Sequence, residues 1–176
     1  LGGVRGSAQM ISYEIAMGLS VMGVLMVYGT LDLQEIARGQ GTLIRDLMPQ
    51  SLGFLQPVIG WLPAWGIFLQ PLAFLLFFTA GIAETKRIPF DLPEGESELV
   101  AGYHVEYSGG KFLMFFAGEF AEIVTVAGLV TTLFFGGWQV PYLAREGFYF
   151  PWGGEWLLAH LAVVGLQVGA FTLKVL

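Results

Sequence analysis

The 176-residue chain is 55% hydrophobic and only 12% charged, with a mean hydropathy of +0.68, too apolar for an ordinary soluble domain. Eight basic side chains against fourteen acidic ones give a formal charge of −6, and six of the fourteen acids fall within residues 84–106, so nucleic acid is excluded as a partner. With no cysteine and two distant histidines, the chain offers no disulfide, thiolate zinc site or conventional iron-sulfur ligand set, and no haem or histidine-rich metal site.

The chain opens at Leu1 without a signal-peptide pattern and stops at Leu176 inside an apolar run, so it reads as a fragment of a longer protein. Residues 11–31 form the first apolar stretch, close to the ~20 residues that a ~30 Å hydrocarbon core requires. Glu14 lies near its start, where it either reaches the interface or serves a function. Residues 32–57 follow as a connector. Its charges alternate with Leu33, Ile36, Leu43 and Ile44, which suits an amphipathic segment interrupted at Gly39 and Gly41.

Residues 47–83 carry no charge at all, and the second crossing is placed at about 61–83, bent because Pro63 and Pro71 fall near or within it. The third crossing is expected at about 112–135 and the fourth at about 156–176. The connector between them, 136–155, is rich in Trp, Tyr and Phe, the composition of a loop at headgroup level. These features predict an all-α fold: a polytopic transmembrane helix bundle with about four crossings, forming a single membrane domain over 1–176. Arg5, Lys86, Arg87, Lys111 and Lys174 then lie on the side of the acidic loop, 84–111, and Arg38, Arg45 and Arg145 on the other. That bias points the loop towards the cytoplasm.

Within the loop, Asp91 followed by Pro93 and Glu94 resembles an acidic capping box, so a short helix outside the bilayer is predicted there. Glu94 and Glu98 would repel each other one turn apart, either as a solvated acidic face or with something that offsets the repulsion. Glu119 and Glu122 share a face of the third crossing at i, i+3. An acid near the bilayer centre costs ~2.5–3.5 kcal/mol on insertion scales, so the pair suggests a buried polar path. Carboxylates sharing a poorly solvated site cannot all ionise cheaply, which is the physics of a proton relay. Lys86 and Arg87 either pin neighbouring acids or anchor the topology. His160 is left unassigned.

Three blocks carry a resemblance. They are Gln9, Met10, Ile11, Ser12, Tyr13 and Glu14; Glu84, Thr85, Lys86 and Arg87 running through Pro89, Phe90, Asp91, Leu92, Pro93 and Glu94; and the segment from Glu96, Ser97 and Glu98 to Glu106, Tyr107 and Ser108. Their order and the apolar spans between them resemble the H subunit of bacterial NADH:quinone oxidoreductase, respiratory complex I, equivalent to mitochondrial NADH dehydrogenase subunit 1. The resemblance covers most of the chain. Lys86 stands where that family commonly has Asn, His104 replaces a frequent Asn, and Gly118-Glu119-Phe120 replaces Ala-Glu-Tyr, which leaves the carboxylates intact.

The resemblance implies a subunit with eight crossings in full, part of the enzyme but not its electron carrier. It implies proton coupling by Glu14, Glu84, Glu94, Glu96, Glu98, Glu106 and Glu119, and a quinone path beside Arg87, Phe90 and Asp91. Ubiquinone or menaquinone is then the substrate, with no metal or flavin bound by this chain. The implied partners are the other membrane-arm subunits, the quinone-site and iron-sulfur subunits of the peripheral arm, and membrane lipid. The implied location is the bacterial inner membrane, or the mitochondrial inner membrane in a eukaryote. Two alternatives stay open: the resemblance also admits the related membrane subunit of an energy-converting hydrogenase, and composition alone allows a stand-alone carboxylate-lined ion transporter. A third is a scaffold that docks the peripheral arm.

Overall fold

A computed structural model describes residues 2–47, 50–90, 108–150 and 153–176. In chain order these form α1 (Gly2–Tyr28), α2 (Leu33–Gly39), α3 (Ile44–Leu47), a 3-10 helix (Gln50–Leu55), α4 (Gln56–Ile59), α5 (Gly66–Leu69), α6 (Pro71–Glu84), α7 (Gly110–Phe134), β1 (Leu143–Ala144), β2 (Gly147–Tyr149), β3 (Glu155–Leu157) and α8 (His160–Val175). The protein is mostly helical. Among the described residues, Gly6–Tyr28 of α1 and all of α7 are long and apolar enough to cross a membrane, whereas α6 and α8, with 14 and 16 residues, fall short of the ~20 that a straight crossing needs.

The apolar stretch 61–83 is helical only from Gly66, and it is divided at Gln70, whose backbone (φ −139°, ψ 66°) leaves the helical region. Pro71 then opens α6 at the first helical position, where its missing N–H would have had no intrahelical partner and its fixed φ suits the helix. Upstream, residues 61–65 are not helical: Leu43 and Pro63 form an isolated antiparallel bridge, flanked by Ile44 N–H to Leu62 O (3.0 Å) and Ala64 N–H to Thr42 O (2.9 Å), and turn bonds from Leu62 N–H to Ile59 O (3.1 Å) and Trp65 N–H to Pro63 O (2.8 Å) lie on either side.

The aromatic connector corrects the all-α expectation. It carries a three-stranded antiparallel sheet in the order β1-β2-β3, pairing Leu143 with Phe148 and Phe148 with Trp156. Trp156 and Leu157 are apolar enough to read as the start of a helix, but Leu157 pairs with Gly147 instead, and α8 begins at His160. At Gly147 (φ +144°) a Cβ would collide with the Trp156 carbonyl, so only glycine lets the two strands approach.

The chain divides into two compact units, Leu1–Gly23 with Leu72–Ala127, and Val24–Pro71 with Gly128–Leu176. In the second, Asp32 caps α2 by accepting from Gln34 N–H at 2.8 Å, while Glu35 in the first turn and Arg38 in the last suit the helix dipole. Ile36 and Ala37 are buried with Ala64, Leu133 and Phe134. Buried Gln40 joins three segments. Its Nε2 donates to Thr132 O (2.8 Å), and its Oε1 accepts from Gly66 N–H (3.0 Å) and Gly136 N–H (2.9 Å). Lys174 closes the end of α7: its Nζ donates to the carbonyls of Phe135 (2.8 Å), Gly137 (3.1 Å) and Gln139 (2.7 Å) and lies 4.7 Å over the Trp65 ring. In the first unit the core follows one face of α6, with Phe77, Ala80 and Ala83 buried.

Candidate functional site

Helix periodicity builds the site in the first unit. On α6, Phe77, Ala80 and Gly81 are buried at i, i+3 and i+4, and Glu84 continues that stripe at i+7. Gly81 faces α7 so closely that a Cβ there would stand 2.8 Å from Val126 Cγ1. On α7, Glu122 lies one turn before Val126 and Glu119 three residues earlier still, all on one face. Two helices that touch at Gly81 and Val126 and run antiparallel bring Glu84 beside Glu122 without any further device.

Glu84 is the last residue of α6 and the first of the acidic loop, beyond the apolar stretch. Its Oε2 is buried and has no hydrogen-bond partner among the described residues. Burial raises its pKa above the ordinary glutamate value. The Glu122 carboxylate and then that of Glu14, on α1, raise it further, and the Lys86 ammonium opposes them. Glu122 in turn feels Lys86 and Glu119. Among the described residues of the first unit, Glu14, Glu84, Glu119 and Glu122 thus form one electrostatic group, with Glu84 and Glu122 at its centre and the Lys86 ammonium beside them.

The turn after α6 places that cation. Thr85 Oγ1 donates back to Gly81 O at 3.0 Å. Lys86 adopts a left-handed conformation (φ 51°), its N–H bonds Ala83 O (3.3 Å) and Arg87 N–H bonds Ile82 O (3.1 Å), the paired bonds of a Schellman ending. Glycine is the usual occupant of such a position, and a lysine there is held at a cost of about 1 kcal/mol or more. The chain then turns to Phe90, whose carbonyl accepts from Gln9 Nε2 (2.9 Å) and whose ring meets Tyr13 edge-on at 5.4 Å. Two side chains of α1, from the same segment as Glu14, therefore fix Phe90.

Of the residues singled out by sequence, Glu14, Glu84 and Glu119 join this group, Phe90 packs on α1, and Arg87 is exposed. Asp91, Glu94, Glu96, Glu98 and Glu106, with the capping box and the short loop helix, lie outside the described residues. The spacing of Glu119 and Glu122 suggests a buried polar path, but the resemblance assigns Glu122 no role, although among charged groups it acts most on Glu84. The signal that finds it is Gly81, a small residue in the same stripe as an acid. Among the described residues no group of three or more His, Asp or Glu is placed to hold a metal ion.

A family model described as NADH dehydrogenase matches residues 1–176. The H subunit of NADH-quinone oxidoreductase from Bdellovibrio bacteriovorus is 51% identical over 146 residues, 82% of this chain and 36% of that protein. The corresponding H subunits from Protochlamydia amoebophila and Thermomicrobium roseum are 47% and 45% identical, covering 80% and 92% of this chain and 37% and 46% of theirs. The chain thus spans between about a third and a half of the length of these relatives.

Proposed function

This chain belongs to the NADH dehydrogenase family, and from that membership we propose that it is a membrane subunit of an NADH:quinone oxidoreductase, multi-pass in a bacterial inner membrane or its mitochondrial counterpart. It helps to enclose the chamber in which ubiquinone or menaquinone is reduced, and couples that reduction to proton translocation. Electrons arrive from an iron-sulfur subunit of the peripheral arm, and flavin and NADH bind elsewhere in the complex. Arg87, Phe90 and Asp91 lie along the quinone path. Glu14, Glu84 and Glu119, with the loop acids Glu94, Glu96, Glu98 and Glu106, carry the coupling. The loop 84–111 faces the cytoplasm, and about four crossings belong to this stretch of chain.

The observation that carries this reading is Glu84, with a buried and unpartnered carboxylate oxygen beside Glu122 and Glu14 among the described residues. Negative charge that arrives near such a group favours its protonation. Protonating Glu84 then removes a charge from beside Glu122, so the two titrate as a coupled pair and not as independent sites. Lys86, on the turn held by the Schellman bonds, supplies a fixed counter-charge to both. A change at the quinone end can in this way pass from the loop to α7 without any metal or flavin in this chain.

The test uses the assembled complex containing the full-length protein. NADH:quinone reductase activity sensitive to a quinone-site inhibitor is expected. Glu119→Gln and Glu122→Gln should each leave electron transfer from NADH to an artificial acceptor intact while lowering quinone-coupled proton pumping. Normal pumping in fully assembled variants refutes the coupling role, and hydrogen-linked activity in place of quinone reduction refutes the enzyme assignment.

A further inference from the structure

The second unit contains a cavity of about 500 Å³ whose polar wall is formed by Arg38, Gln139, Arg145 and His160, with no carboxylate among the described residues that line it. In a chain with a formal charge of −6, two arginines gathered without an acid make a local cationic pocket, with the His160 imidazole on its wall. Among the described residues neither arginine is engaged in an ion pair. An apolar groove of about 430 Å³ shares Trp138, Val164 and Gln167 with the cavity and continues to Val168 and Phe171.

The two share a common axis. His160, Val164, Gln167 and Phe171 repeat at helical spacing on one face of α8, from its first residue downward, a rise of about 16 Å at 1.5 Å per residue. The cationic end lies where α7 has just ended and α8 begins, beside the aromatic connector, at the depth expected of lipid headgroups. The apolar end follows α8 towards the hydrocarbon. Cationic head pocket and apolar groove are thus continuous and ordered as a phospholipid is ordered.

We infer that this face holds one anionic phospholipid, with its phosphate between Arg38 and Arg145 and an acyl chain along residues 164–171. Guanidinium groups bind phosphate oxygens through paired N–H donors, which suits arginine here better than a point charge. A free phosphate would leave the groove bare. A zwitterionic lipid brings its own cation into a pocket already lined by cations. The inference rests on the chain being membrane-inserted and is independent of the coupling role of the carboxylates.

The test is lipid retention by the assembled complex containing the full-length chain. Complexes are purified in mild detergent, and bound phospholipids are quantified by mass spectrometry. The double variant Arg38→Gln, Arg145→Gln should retain about tenfold less anionic phospholipid per lost contact, with zwitterionic lipid unchanged. Arg38→Lys with Arg145→Lys should fall between it and the wild type. Equal retention in the Gln variant and the wild type overturns the inference. Should the Gln variant fail to assemble, the wild-type complex is labelled with photoactivatable phosphatidylglycerol and, separately, phosphatidylcholine. Preferential labelling of α8 by the anionic probe supports the site. Equal labelling, or none because another polypeptide covers the groove, overturns it.

Discussion

Replacing Gln40 with methionine keeps the side chain's length and flexibility but removes its amide. Gln40 is 0% exposed and makes three hydrogen bonds, so the change strands Thr132 O, Gly66 N–H and Gly136 N–H inside the second unit. A buried backbone group left without a partner costs about 1–3 kcal/mol, which bounds the total at about 3–9 kcal/mol. Methionine no longer has to bury an amide, and the segments relax in part, so the lower end is expected, about 3–4 kcal/mol. For a full-length protein two to three times as long as this chain, that corresponds to a fall in Tm of about 5 °C. Thermal unfolding of the full-length protein in detergent, followed by tryptophan fluorescence, reads it. Gln40→Glu is the internal control. Its carboxyl keeps an acceptor for the two N–H groups and, when protonated, a donor for Thr132 O, so the variant should recover stability as pH falls. A Gln40→Met protein melting within about 2 °C of wild type would refute the reasoning, as would a Gln40→Glu protein no more stable in acid than the methionine variant.

Gly66→Ala forces a Cβ into the Leu133 carbonyl and within 3.1 Å of Phe134 Cα, both backbone atoms that cannot swing aside, so a loss of about 1–3 kcal/mol is expected in the same unfolding assay. For Glu84 the sign follows from a pKa raised in the folded state. The folded form holds the proton over a range where the unfolded chain has released it, so stability falls as pH rises from the ordinary glutamate value through the raised one. Glu84→Gln removes that fall, and its unfolding midpoint should gain on wild type with rising pH; a constant offset between the two across that range would show that Glu84 is not perturbed.

Long apolar runs are legible because length and hydropathy alone specify them, and α1 and α7 are of this kind. The sheet in the aromatic connector is hidden for a physical reason. Strands of two or three residues have no periodicity to detect, and aromatic side chains serve equally well at a headgroup interface and across a β-ladder. Trp156 extends the apolar run of α8 in sequence, yet the absence of a Cβ at Gly147 draws it into a strand. Gln40 is equally concealed. Set between Gly39 and Gly41 it reads as part of a polar turn, and its three partners come from residues 26 to 96 positions away.

The carboxylate group shows how far one-dimensional pattern reaches. The i, i+3 spacing of Glu119 and Glu122 is enough to place both on one face of α7, but not to say what that face meets. The missing fact is a register between two helices, and a single small residue supplies it. With Gly81 against Val126, one turn towards the C-terminus of α6 arrives at Glu84 and one turn back along α7 arrives at Glu122. A larger residue at position 81 would push the helices apart and open that end of the pair to water. The same two carboxylates would then ionise almost independently, because solvent would screen each from the other. The electrostatic coupling of Glu84 to Glu122 is therefore a consequence of packing at Gly81, an apolar position with no charge of its own.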